Sequence, residues 1–101
     1  MEQWKPLIYG DLDLTNRIAI SNKGRIKNIQ TGKILKQNIV GNGYLGVVIS
    51  LGHRKEYKMI RIHKAVALMF CKGYKEGLEV NHIDGDKTNN KAENLEWCTS
   101  K

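Results

Sequence analysis

A chain of 101 residues with a formal net charge of +7 is the size of one small domain, or of one domain with an extension. Residues 1–50 and 51–80 each carry a net +4, and residues 81–101 a net −1. A basic body with a locally acidic end suits a protein that holds a polyanion and places a cation against it, although scattered surface lysine produces the same totals. Two cysteines, Cys71 and Cys98, with no Cys-x-x-Cys pair argue against a disulfide scaffold and a four-cysteine zinc site, and point to a reduced, cytoplasmic setting. No apolar run reaches membrane-spanning length and no signal-peptide pattern follows Met1, so no membrane partner is expected.

Trp4-Lys5-Pro6-Leu7-Ile8 reads as a helix start or an extended arm, because Pro6 disfavours a central strand. Ile18–Ser21 reads as a short strand, Asn22-Lys23-Gly24-Arg25 as a tight turn, and Ile26 to Ile29 as the returning strand. Thr31-Gly32-Lys33 turns the chain into Ile34-Leu35-Lys36, and Gly41-Asn42-Gly43 punctuates it again. Tyr44 to Leu51 is rich in β-branched residues and reads as a strand, with a turn at Gly52-His53-Arg54-Lys55. In Glu56–Arg61 the residues Tyr57, Met59 and Arg61 alternate with Lys58 and Ile60. From Ile62 the period becomes helical: Ile62, Val66, Met69 and Phe70 share a face, and Gly73 is expected to supply a left-handed cap. Glu79–Ile83 and Leu95–Cys98 read as two strands joined by a long polar loop, and Thr99-Ser100 as the start of a further helix. The expected fold is α+β: a small antiparallel β-rich portion, one central helix and a C-terminal ββ hairpin.

The loop run Asn81-His82-Ile83-Asp84-Gly85-Asp86-Lys87-Thr88-Asn89-Asn90, with Asn94-Leu95-Glu96-Trp97, is too polar for a core. Phosphodiester cleavage needs a base for water and a cation for the developing charge. A histidine suits the first task, and side-chain oxygens suit the second when the cation is magnesium or manganese. Strand neighbours point to opposite faces, so Asn81 and His82 can share a site only if the strand twists or bulges. Asn94 can bridge the loop backbone through its amide.

The segment Asn81 to Trp97 resembles the HNH motif of phage and intron homing endonucleases. Trp4-Lys5 with Ile20–Ile26 resembles the small module that often precedes it, and Gly43-Tyr44 with Ile62–Ala67 is similar to the segment leading into that family's ββα-metal finger. The resemblance implies His82 as the general base, Asn94 as the asparagine that orients base and loop, and Asn81 as a ligand of one divalent metal, Mg2+ or Mn2+. It places the finger's last ligand about two residues past Lys101, so the finger is expected to be incomplete here and its metal weakly held. It further implies an N-terminal DNA-binding module at residues 1–40, an HNH domain at 41–101, double-stranded DNA as partner, a monomer or weak dimer that nicks one strand, and a bacterial or phage-infected host cell.

Other readings compete for the same residues. An EF-hand counted from Asp84 would want Gly and Glu where Asn89 and Leu95 stand. Zinc on His82, Cys71 and Cys98 lacks a close ligand pair, and a structural turn also favours Asp, Gly and Asn. His63 reads as a packing or capping histidine, His53 as solvated, Trp4 and Trp97 as apolar anchors, and Asp84 and Asp86 as loop-shaping groups. Arg25, Lys27, Arg54, Lys55, Lys58 and Arg61 lie on or beside predicted hairpins and together suggest a β-ribbon that follows DNA phosphates, although strand lysines also protect sheet edges. The main alternative function is DNA binding without catalysis.

Overall fold

The computed structural model describes residues 1–50 and 56–99. The turn expected at 52–55, with His53, Arg54 and Lys55, lies outside the described residues, as does Ser100 of the expected cap.

Ten short strands and one α-helix occupy the described residues. Strand β1 (Trp4–Pro6) pairs antiparallel with β4 (Ile18–Ser21), which pairs with β5 (Ile26–Asn28), in the order β1-β4-β5. Pro6 therefore sits on an edge strand, where its missing N–H costs no central ladder bond. Between β1 and β4 a hairpin forms that the sequence reading did not anticipate, β2 (Ile8–Tyr9) with β3 (Leu12–Asp13). Its turn is Gly10-Asp11, with Gly10 at φ +64°. Each strand is only two residues long, too short for alternation to register. Ile34 forms an isolated bridge to Lys27 rather than opening a strand.

The second sheet is β6 (Asn38–Ile39), β7 (Leu45–Ser50) and β8 (Tyr57–Arg61), in that order. Val47 and Ile49 of β7 and Ile60 of β8 are buried, whereas Val48 opposite Met59 faces out. The expected alternation is what buries one face and leaves the other in water. At Ile62 the strand runs directly into helix α1 (Ile62–Phe70). Ile62, Ala65, Val66 and Ala67 are fully buried, at the spacing of one helical face. The helix ends at the expected Cys71-Lys72-Gly73 stretch, but its cap is Cys71 rather than Gly73. Cys71 is already extended (φ −101°, ψ 133°) and its N–H closes the last turn on Ala67 O. Gly73 does take a positive φ, two residues beyond that cap. The helix has no basic residue in its last turn. Lys5 of β1 supplies one, its Nζ donating to Met69 O at 2.9 Å.

Helix α1 packs against β2, β4, β7 and β8 and against the C-terminal hairpin, β9 (Glu79–His82) with β10 (Leu95–Cys98). Leu7, Ile20, Ile26, Ile60, Ile62, Val66 and Leu95 share one core cluster, so the N-terminal sheet and the C-terminal hairpin are parts of one packed body. Burying each such side chain contributes about 1.5–3 kcal/mol. Leu95, 5 % exposed, ties that core to the polar loop between β9 and β10.

Candidate active site

Strands β9 and β10 pair in unbroken register: His82 faces Leu95, Asn81 faces Glu96, Val80 faces Trp97 and Glu79 faces Cys98. There is no bulge in this ladder, so alternation holds. His82 turns inward and is 7 % exposed. Asn81 points to the opposite, exposed face, where its Nδ2 donates to Glu96 Oε2 at 2.8 Å. The structure therefore does not bring Asn81 and His82 to one face of the hairpin, because the ladder carries no bulge at these residues.

The connection from Ile83 to Asn94 is held by its own polar side chains together with backbone bonds, among them Ile83 N to Asn94 O at 2.8 Å and Ala92 N to Asn22 O at 2.8 Å. Asp84 Oδ1 accepts from Asp86 N at 2.8 Å and from Asn94 Nδ2 at 2.9 Å, and Asp84 Oδ2 accepts from Asn89 Nδ2 at 2.9 Å. Asp86 Oδ1 accepts from the backbone and the hydroxyl of Thr88, at 2.9 and 2.7 Å. These bonds, the Asn89 side chain foremost, hold the Asp84 carboxyl below its ordinary range, and the Thr88 hydroxyl does the same for Asp86. Both carboxylates are shaping the loop.

Asn94 is 8 % exposed and closes the loop across its base. Its Oδ1 accepts from Asp84 N at 3.1 Å, and its Nδ2 donates to Asn89 O at 2.9 Å as well as to Asp84. A short 3₁₀ turn, Ala92–Asn94, delivers it there. Asn94 reaches the loop, as its spacing suggests, but it does not touch the imidazole of His82. That contact belongs to Asn90, which is 3 % exposed and whose Oδ1 lies 2.7 Å from His82 Nε2. The sequence reading assigned Asn90 no role. Beside Asn89, nothing in residue type distinguishes the asparagine that binds loop backbone from the one that turns inward.

Two more residues surround His82. Tyr44 stacks on His63 with ring centroids 4.6 Å apart, and the two rings lie 5.9 and 5.3 Å from that of His82. Burial first, and then the neighbouring His82, Arg61 and Lys64, pushes His63 down from the ordinary 6.5 to about 4, so it is neutral at pH 7. Among the described residues, the buried side-chain polar atoms without a partner are His63 Nδ1 and Asn90 Nδ2. Lys87 of the loop lies 5.0 Å over the Tyr44 ring and donates to Asn42 O at 2.6 Å.

The basic residues are divided. Arg25 and Lys27 stand at the β4–β5 hairpin, both over the Trp4 ring, at 5.6 and 4.3 Å. Arg25 is also paired with Glu2, at 2.9 Å (Nε–Oε2) and 2.5 Å (Nη2–Oε1), which lowers the Glu2 carboxyl to about 2. Lys58 and Arg61 stand on β8 in the second sheet, on opposite faces of the strand. The described members of this set thus lie in two different sheets, and Arg54 and Lys55 lie outside the described residues.

Residues 2–50 match the family described as the NUMOD4 motif, and residues 63–101 the family described as HNH endonuclease. The structure superposes on that reported for DNA binding and cleavage by the HNH homing endonuclease I-HmuI, with a TM-score of 0.81 at 37 % identity over 96 % of this chain and 52 % of that one. The chain carries a NUMOD4 motif followed by an HNH endonuclease domain. It is 43 % identical to the DNA endonuclease I-HmuI of Bacillus phage SP01 over 81 % of its own length and 46 % of that protein. It is 40 % identical to the uncharacterized HNH endonuclease L247 of Acanthamoeba polyphaga mimivirus, over 98 % of this chain and 24 % of that one. The chain thus spans about half the length of I-HmuI, and the α+β architecture read from the sequence matches the fold of that enzyme. His82, Asn90 and Asn94 all fall within the HNH domain, whereas Tyr44 belongs to the NUMOD4 match.

Proposed function

We propose that this protein hydrolyses a phosphodiester of double-stranded DNA, with His82 as general base and magnesium or manganese as the metal. The observation that carries the reading is the imidazole of His82, held by one ring nitrogen inside a loop that its own side chains lock. A base so held spends little entropy on orientation when water and phosphate arrive.

In the reaction His82 takes a proton from water as its oxygen attacks phosphorus. The bond to the leaving oxygen breaks, and that oxygen acquires a proton from solvent. Asn94 keeps the loop closed so that His82 does not swing away. We assign Asn81 to the cation, as the resemblance implies; with Glu96 it lies on the face of the hairpin opposite His82, so the strand must twist on binding metal and DNA for its oxygen to reach the phosphate that His82 serves. These oxygens suit a hard ion in kind but are few, since among the described residues no three His, Cys, Asp or Glu side chains cluster to hold a metal. Magnesium sites commonly take their remaining ligands from water and from substrate phosphate. When bound, the ion would stabilise negative charge on the phosphate and leaving oxygens. Arg25 and Lys27 on one edge, and Lys58 and Arg61 on the other, supply phosphate contacts, with the NUMOD4 module ordering the DNA ahead of the HNH domain. One such site cuts one strand, so a monomer nicks.

Conversion of supercoiled plasmid to open circle by the full-length product of this gene, with magnesium or manganese and with EDTA as control, tests the reading. Metal-dependent nicking that disappears in His82→Ala is the expected result. Retained DNA binding with no nicking under either metal overturns it in favour of a non-catalytic DNA-binding module.

A further inference from the structure

We propose that Asn90 is the positioning residue for the His82 imidazole, and that the NUMOD4 module holds Asn90 in place. The proposal rests on the reading of His82 as the base and adds what selects its reactive nitrogen.

An amide oxygen can only accept a hydrogen bond. With Asn90 Oδ1 placed 2.7 Å from it, His82 Nε2 is assigned as the nitrogen that donates, which leaves Nδ1 to accept a proton. The opposite tautomer would offer water a donor and no base. The arrangement has a visible cost, because Asn90 Nδ2 is buried with no partner. An unpaired buried N–H is unfavourable and marks a side chain kept for something other than stability.

Asn90 is held from outside its own loop. Gly24, in the β4–β5 turn at φ +85°, lies so close that a Cβ there would stand 2.9 Å from Asn90 O and 3.1 Å from Asn90 Cβ. No L side chain fits that approach or favours that φ. On one side of this contact Asn22 O accepts from Ala92 N at 2.8 Å, and on the other Gln37 Nε2 donates to Gly24 O at 2.7 Å. Lys23 and Glu93 add an ion pair at 3.9 Å. The turn that touches Asn90 is also the turn that carries Arg25. The N-terminal module therefore serves two ends, contact with DNA and the setting of the base.

The test reads the tautomer of His82 directly, by long-range 1H–15N correlation of its ring nitrogens, in this chain and in three variants. The parent should show Nε2–H. Asn90→Leu keeps the volume but removes the acceptor, and should give mixed tautomers with a well-dispersed amide spectrum. Asn90→Asp keeps an acceptor oxygen and should keep Nε2–H. Gly24→Ala, far away in sequence, should perturb the His82 ring signals. In nicking by the full-length protein, Asn90→Leu should lower kcat by about 10- to 100-fold at unchanged KM, the scale on which groups that orient a histidine act. Asn90→Asp should recover most of it. An Nδ1–H tautomer in the parent, an Asn90→Leu variant that keeps Nε2–H, or His82 signals indifferent to Gly24→Ala would overturn the proposal. If His82→Ala nicks at the parent's rate, the base assignment fails. If His82→Ala is inactive but Asn90→Leu is not, the positioning role alone fails.

Discussion

Replacing Asn94 by Ala tests whether the polar loop is a cooperative part of the fold or an ornament on it. The side chain makes three bonds: Nδ2 to Asp84 Oδ1 and to Asn89 O, each at 2.9 Å, and Oδ1 from Asp84 N at 3.1 Å. Each is worth about 1 kcal/mol net, and groups left without a partner cost more when water cannot reach them. Asp84 is exposed, so its carboxylate is rehydrated and that bond counts for least. The sum is about 2–3 kcal/mol. With a urea slope of about 1.3 kcal/mol per molar for a domain of this size, the denaturation midpoint should fall by about 2 M. The Asp84 amide, deprived of its acceptor, should also exchange with solvent faster, and the pKa of the Asp84 carboxyl should rise as the Asn94 donor disappears. Nicking should be lost in the same variant at temperatures where it is still folded, since the loop that presents His82 is no longer closed. Asn94→Asp sharpens the test. It keeps an acceptor for Asp84 N, removes both donors and sets a second carboxylate against Asp84, so it should be no more stable than the Ala variant. A midpoint shift below about 0.5 M for Asn94→Ala would mean that the loop is held without its central amide, and Asn94 would then not be what keeps His82 in place.

The remaining predictions follow from single observations. His82→Ala should lower nicking by about 10² to 10⁴-fold while DNA affinity in a gel-shift titration stays nearly constant; a parental rate refutes the base. His63 falls from the ordinary 6.5 to about 4 in the folded chain, chiefly through burial, so between these values the unfolded chain binds a proton that the folded chain refuses. Stability is therefore fully present above pH 6.5 and declines as pH falls towards 4, by about 1–2 kcal/mol after allowing for the partial exposure of the ring. The drop in urea midpoint between about pH 7.5 and about pH 4.5 should be smaller in His63→Phe, and an equal drop counts against it. Arg25→Ala with Lys27→Ala should lower the slope of log affinity against log salt by about 0.9 for each phosphate that is no longer neutralised. Glu2→Gln, which frees Arg25 from its carboxylate, should raise DNA affinity; no change in either would remove this turn from the DNA-binding surface.

What the sequence could reveal depended on the range of the interaction that each residue serves. Strand β7 and helix α1 are written locally: alternation in one, and a change of period at Ile62 in the other, follow from the faces these elements bury. Asn94 was also within reach, because its partners lie in the loop it closes and the spacing to His82 is what the family resemblance carries. The hairpin at Gly10-Asp11 was missed, since two-residue strands leave no pattern beyond the turn dipeptide itself. Asn81 was harder. Its neighbour in sequence suggested a shared site, but its true companion is Glu96, which only the register of β9 on β10 reveals. Asn90 was hardest, because its role is written in Gly24, in another sheet and another module. A glycine in a tight turn already has a sufficient local explanation, so nothing marks it as also needed for a contact 66 residues away in the chain. Here the local and the distant reasons for one residue coincide, and the distant one becomes visible only when the fold sets Gly24 against the backbone of Asn90. The histidine that the HNH motif singles out thus rests its ring nitrogen on Asn90, a residue the motif does not single out, and Asn90 in turn stands against the Gly24 turn of the NUMOD4 match.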